Sequence, residues 1–144
     1  MTYVVAFDNS PLAKRALRCA VEYADAVRED VVAVTAIQRD DGFARERGWL
    51  DGDESFGIEK VARNLTQAVE AIDPDVGFEY RTLDPYAPRG RVSRTVRELA
   101  VEQDASVVFV GSDNAGRMVG GLASVGQNVS SDDRYDVHIV RHDE

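Results

Sequence analysis

The sequence predicts an α/β fold, a five-stranded parallel sheet with helices on both faces. Three observations predict it. Apolar runs rich in β-branched residues recur at Tyr3 to Phe7, Val31 to Ile37 and Ser106 to Val110, and unbroken apolarity marks strands covered on both faces. Between the runs, apolar residues return every three or four positions, the spacing of a helix with one buried face. Turn residues close the runs, so the order reads β-α-β-α-β-α-β-α-β, five strands and four helices. Such alternation requires right-handed crossovers and a parallel sheet.

Each element has its own signal. The first run ends at Asp8-Asn9-Ser10-Pro11, where Ser10 suits an N-cap and Pro11 the first helical position. Leu12, Ala16, Leu17, Ala20, Tyr23, Ala24 and Val27 then share one face of a helix, followed by the strand Val31 to Ile37. Residues 39 to 57 are polar and glycine-rich, hold the only tryptophan, Trp49, and read as a long loop. Val61, Leu65, Ala68, Val69 and Ile72 restore helical spacing, which Asp73-Pro74 stops. Val76, Phe78, Tyr80 and Thr82 alternate with charged and small residues, as in a strand wet on one face at a sheet edge. Past the turn-rich segment from Asp84 to Arg91, Val92, Val96, Leu99 and Ala100 face inward from a third helix. Ser106 to Val110 is a buried strand. Met118, Leu122, Val125 and Val129 keep helical spacing despite Gly120-Gly121, and Val137 to Val140 is a short last strand at an edge.

Composition bounds the function. The 144 residues suit one domain, residues 1–144, and 44% hydrophobic content is enough for a packed core. With 26 acidic against 17 basic residues the net charge is -9, which repels a nucleic-acid backbone. Only Lys14 and Lys60 are lysines, and aspartates pair at Asp40-Asp41 and Asp132-Asp133. This suits adaptation to a salty cytoplasm, where salt screens carboxylate repulsion; a genome rich in G and C would also favour arginine. Cys19 is alone and excludes a disulfide framework. With no apolar run of membrane length and no signal peptide, a cytoplasmic protein without membrane contact is expected.

In a sheet of this class, ligands bind beyond the carboxyl ends of the strands, where strand order reverses. The chemistry is therefore sought after Phe7, Ile37 and Val110. A strand ending in Asp8 and Ser10 ahead of a helix, the strand Val31 to Ile37, and the run Val108-Phe109-Val110-Gly111-Ser112 resemble the universal stress protein family along the whole chain. The resemblance implies a Rossmann-like fold, a homodimer through the last strand, at Val137 and Ile139, and a role in stress response. For one branch it also implies ATP, with Mg, bound at a glycine signature G-x-x-G, nine residues, G-S or G-T. On that pattern the nucleotide residues are Phe7, Asp8, Ala36, Gly111, Ser112, Asn114, Ala123 and Ser124.

The signature is altered. With Gly111 as its first glycine, Asn114 takes the place of the second, and Ala123-Ser124-Val125 stands in place of Gly-Ser-Val after one residue fewer. A rival frame from Gly116 to Gly126 offers Gln127 where a hydroxyl belongs. Signature glycines adopt positive φ and bring N–H groups to phosphate oxygens. Asn114 tolerates that conformation, Ala123 adds a methyl, and Ser124 keeps a hydroxyl. Asp113 opposes polyphosphate, since two unit charges ~5 Å apart repel by ~3 kcal/mol at an effective dielectric of about 20. Arg117 offsets part of this.

Other candidates carry two readings each. Asp8 either accepts a ribose hydroxyl or satisfies backbone N–H groups in its own turn. Phe7 lines the adenine pocket or fills it. Arg89, Arg91 and Arg94 bind an anion or pair with surface acids. Trp49 is a lid or interaction anchor, or it packs back onto the sheet edge. His138 and His142 do not form a metal site, and Cys19 is a small core residue. There is no catalytic triad, Walker loop or G-x-S-x-G elbow. The readings that follow are a nucleotide-responsive stress protein, a dimeric interaction module with an unknown protein partner and no nucleotide, and, last, an ATP-hydrolysing enzyme.

Overall fold

The computed structural model describes residues 2–50, 53–88, 90–111 and 134–142. The chain runs β1 (Thr2–Ala6), α1 (Pro11–Val27), β2 (Asp30–Gln38), α2 (Asp41–Glu46), α3 (Ile58–Ile72), β3 (Gly77–Leu83), α4 (Arg91–Glu102), β4 (Ala105–Gly111) and β5 (Asp136–Val140). All pairings are parallel and the order is β3-β2-β1-β4-β5. Strand order therefore reverses between β1 and β4. β3 and β5 lie at the edges, as the sequence predicts.

Val4 and Val5 on central β1 are wholly buried and point to opposite faces, into two separate cores. This is the reason for its unbroken apolar run. On one face, α1 and α3 meet Val5, Phe7, Ile37 and Phe109. On the other, α4 meets Val4, Val34, Val108 and Val110. Ser10 caps α1, its side chain accepting from the Ala13 N–H at 3.1 Å with Pro11 in the first turn. Ala13, Ala16, Ala20 and Ala24 are small and buried, so α1 lies close to the sheet. Gly111 meets that helix, and a Cβ there would come 2.8 Å from the Leu12 Cβ.

Three expectations are corrected. The stretch from 39 to 57 is not simply a loop, because Asp40 caps α2 through the Phe43 N–H at 3.1 Å. Tyr23 and Val27 are 46% and 54% exposed rather than inward. The close approach of α1 leaves Tyr23 reaching sideways to Phe109 and His138, with ring centroids at 6.0 and 5.4 Å. Tyr80 is also exposed, stacked beside Phe78 at the sheet edge. On the opposite face of β3, Arg81 pairs with Glu102 at 2.5 Å and Glu98 at 3.6 Å on α4, so that face is ion-paired as well as wet. The helix expected around Met118 to Val129 lies outside the described residues.

Candidate functional site

A cavity of about 540 Å³ opens over the carboxyl ends of β1 and β2, beside the reversal of strand order. Phe7, Asp8 and Ala36 line it. Gly111 is not among its lining residues, and Ser112, Asn114, Ala123 and Ser124, with Asp113 and Arg117, lie outside the described residues.

One wall is built from β1 and α2. The Asp8 carboxylate accepts from the Ser10 N–H at 3.0 Å and from an Arg47 Nη1–H at 2.7 Å. Backbone satisfaction in its own turn thus holds for Asp8, and a cationic partner is added. Arg47 comes from the C-cap of α2 and lies over the Phe43 ring, 4.8 Å from its centroid. Phe43 meets Trp49 edge-on at 5.5 Å, and the Trp49 Nε1–H donates to the Asp8 carbonyl at 3.0 Å. The contacts close a circuit from Asp8 through Arg47, Phe43 and Trp49 back to Asp8.

The local sequence makes that circuit geometrically feasible. Gly48 follows α2 with φ 73°, its N–H bonding the Arg45 carbonyl while the Trp49 N–H bonds the Ala44 carbonyl. This is a Schellman cap with its usual apolar contact, here Phe43 against Trp49. Trp49 is 2% exposed, and the Asn64 amide of α3 donates to its carbonyl at 2.9 Å. Trp49 therefore packs inward, as one reading expected, but over the end of central β1 rather than on a sheet edge.

The second wall joins β2 to α4. The Thr35 hydroxyl donates to the Phe7 carbonyl at 2.5 Å, and the Phe7 N–H bonds Val34, locking the two strand ends together. The Gln38 amide donates to the Pro85 carbonyl at 3.1 Å, tying β2 to the turn ahead of α4. Gly90, with φ 90°, caps α4 without a side-chain acceptor, and Gly90, Val92 and Ser93 line the cavity. A helix N-terminus presents N–H groups and partial positive charge. Phe7 both lines the cavity and fills the α1 core, while Ala36 offers a small apolar surface.

Of the other singled-out residues, Arg94, His138 and Cys19 make contacts within the fold. Arg94 pairs with Glu98 at 3.3 Å, and Arg89 lies outside the described residues. His138 stacks on Phe109 at 4.9 Å. Cys19 is buried, with an Arg15 guanidinium N–H donating to its Sγ. Among the described residues no helix is long and apolar enough to cross a membrane, and no three His, Cys, Asp or Glu side chains gather as metal ligands. Arg47, Phe43 and the Gly48 cap were the features missed from sequence. Asp40 and Gly48, a capping residue and a C′ glycine eight positions apart, were the available signal.

The architecture is that of the doubly wound α/β proteins, with a cavity at the strand ends. A universal stress protein solved in complex with cAMP is similar to 100% of this chain over 98% of its own, at 27% identity and a TM-score of 0.58. A universal stress protein from Archaeoglobus fulgidus matches 98% of this chain over 93% of its own, at 24% identity and a TM-score of 0.57. Another from Archaeoglobus fulgidus, in complex with dAMP, matches 97% over 96%, at 18% identity and a TM-score of 0.51. No family model and no curated protein matches the chain. The chain is similar in fold to these universal stress proteins along its whole length.

Proposed function

We propose that the protein is a regulatory protein of the stress-response type that binds an adenine nucleotide in the cavity above β1 and β2. The observation that carries this reading is the Asp8 carboxylate in the wall of a cavity of about 540 Å³. Small-molecule sites typically enclose ~300–1,000 Å³ with mostly apolar walls and few polar groups. Ala36 and Val34 supply the apolar surface for a base, and the Asp8 carboxylate is the polar group beside the ribose. The relative in complex with cAMP supports the adenine class. ATP with Mg stays within that class, as do nucleotides with one phosphate.

We further propose that residues 1–144 act as one domain in a cytoplasm of high salt. A homodimer would form by pairing of β5 edges, where Val137 and Ile139 are half-buried. Calorimetric titration with cAMP, AMP and Mg-ATP, in molar KCl and in low salt, tests the binding. Heat and a thermal shift are expected with at least one nucleotide, strongest in molar KCl, where the Debye length is ~3 Å. Neither signal at millimolar nucleotide in either buffer overturns the reading and favours the interaction module.

A further inference from the structure

We infer that the outer edge of β3 is a contact surface for a second copy of this chain, the two strands pairing antiparallel about a two-fold axis at Tyr80. The contact is separate from the β5 edge and needs no nucleotide.

β3 ends the sheet, and no strand among the described residues pairs with its outer side. The Arg39 N–H bonds the Leu83 carbonyl, so Leu83 turns its backbone groups toward β2. Backbone direction alternates along a strand, which makes Gly77, Glu79 and Arg81 do the same. Phe78, Tyr80 and Thr82 therefore aim their N–H and C=O groups at the open edge, a row that invites another strand. β3 has no proline and no lysine to blunt this edge, and it follows β2 without a bulge from Gly77 to Leu83.

The two charges on β3 select the register. Antiparallel pairing centred on Glu79 sets that carboxylate against its own copy, and pairing centred on Arg81 opposes two guanidinium groups. Like charges directly opposite destabilise a sheet. Centred on Tyr80, each Glu79 faces an Arg81 on both sides of the axis, and all of Gly77–Leu83 overlaps. The same register makes Tyr80 a hydrogen-bonded pair with its own copy, exchanging the outward N–H and C=O groups.

The side chains suit that arrangement on both faces. On the α3 face, Tyr80 is 39% exposed and stacks on Phe78 at 6.0 Å, so an aromatic cross-strand pair would form at the axis. On the α4 face, Glu102 and Glu98 hold Arg81 at 2.5 and 3.6 Å, which orients its charge at the edge. Each chain carries a net charge of -9, and molar salt screens the repulsion between two such chains. The pairing is isologous, as closed dimers require.

Sedimentation velocity in molar KCl, from micromolar to millimolar protein, tests the contact. The samples are the full chain, the variants E79R, R81E and Y80P, and an equimolar mixture of E79R with R81E, each checked by thermal unfolding. The wild type is expected to self-associate. E79R and R81E alone should each weaken association at least about tenfold, since each sets like charges opposite one another. Their mixture should restore it, because every pair across the axis is then of opposite charge. Y80P should fold and lose the contact, because the N–H it removes points away from β2. A species of half the wild-type mass that survives in E79R is the β5 pair, and supports two separate contacts. Loss in E79R without rescue in the mixture overturns the inference. Equal association of the wild type, E79R and Y80P also overturns it and places the contact elsewhere, β5 included. A wild type that stays monomeric to millimolar protein overturns it too, and leaves this edge to a strand of another protein.

Discussion

The two walls of the cavity are built by different physics. The β1–α2 wall is held by side chains far apart in sequence: Arg47 to Asp8 across 39 positions and Trp49 to Asp8 across 41. The β2–α4 wall is held largely by backbone, through the turns after Asp84 and Pro88 and the left-handed Gly90. A wall made of bulky, interlocked side chains fixes the direction of polar groups. One made of turns and small residues leaves space. The cavity exists because these two solutions face each other.

The largest effect should come from removing the aromatic post of the first wall. Trp49→Ala deletes a side chain only 2% exposed and its bond to Asp8, and should destabilise by about 3–5 kcal/mol. Urea unfolding followed by circular dichroism reads this, and a loss under about 1 kcal/mol would mean the wall does not depend on that side chain.

Asp8→Asn comes next. It keeps the shape of the side chain but leaves Arg47 without its carboxylate, and should cost about 1.5–3 kcal/mol, the range for hydrogen bonds to charged groups. Unchanged stability together with unchanged nucleotide affinity would remove Asp8 from both the wall and the site.

The glycines make a direct comparison between the walls. Gly48→Ala and Gly90→Ala each place a Cβ in open space but at φ 73° and 90°, so both should lose about 1–2 kcal/mol through backbone strain alone. Only Gly48→Ala should shift the emission of Trp49, since only that cap positions the indole. Equal shifts in both variants would show that the walls are mechanically coupled.

The smallest effect is expected at Arg81→Ala. Its pairs with Glu98 and Glu102 are on the surface, with Arg81 40% exposed, and should contribute less than about 1 kcal/mol, fading in molar salt.

Much of this was legible in residue order. The Ser10-Pro11 start of α1, the Asp73-Pro74 stop of α3 and the edge position of β3 all followed from short-range patterns, because capping, φ restriction and alternation act over a few residues. The site was legible only in part. Phe7, Asp8 and Ala36 sit at strand ends that the topology brings together, so their places could be anticipated. Arg47 could not, and of Trp49 only its inward packing could, since α2 is six residues long, lies among glycines and acids, and has no extended period to reveal it.

What the sequence determined by itself was the class of fold, because apolar period and turn chemistry are local and leave a parallel α/β sheet as their consistent solution. The side-chain directions at the cavity were decided only in the tertiary structure. Asp8 faces Arg47, and Trp49 covers the end of β1, because chain closure delivers α2 to that strand end. Electrostatic attraction and aromatic packing act on distance in space, and residue order does not encode that distance.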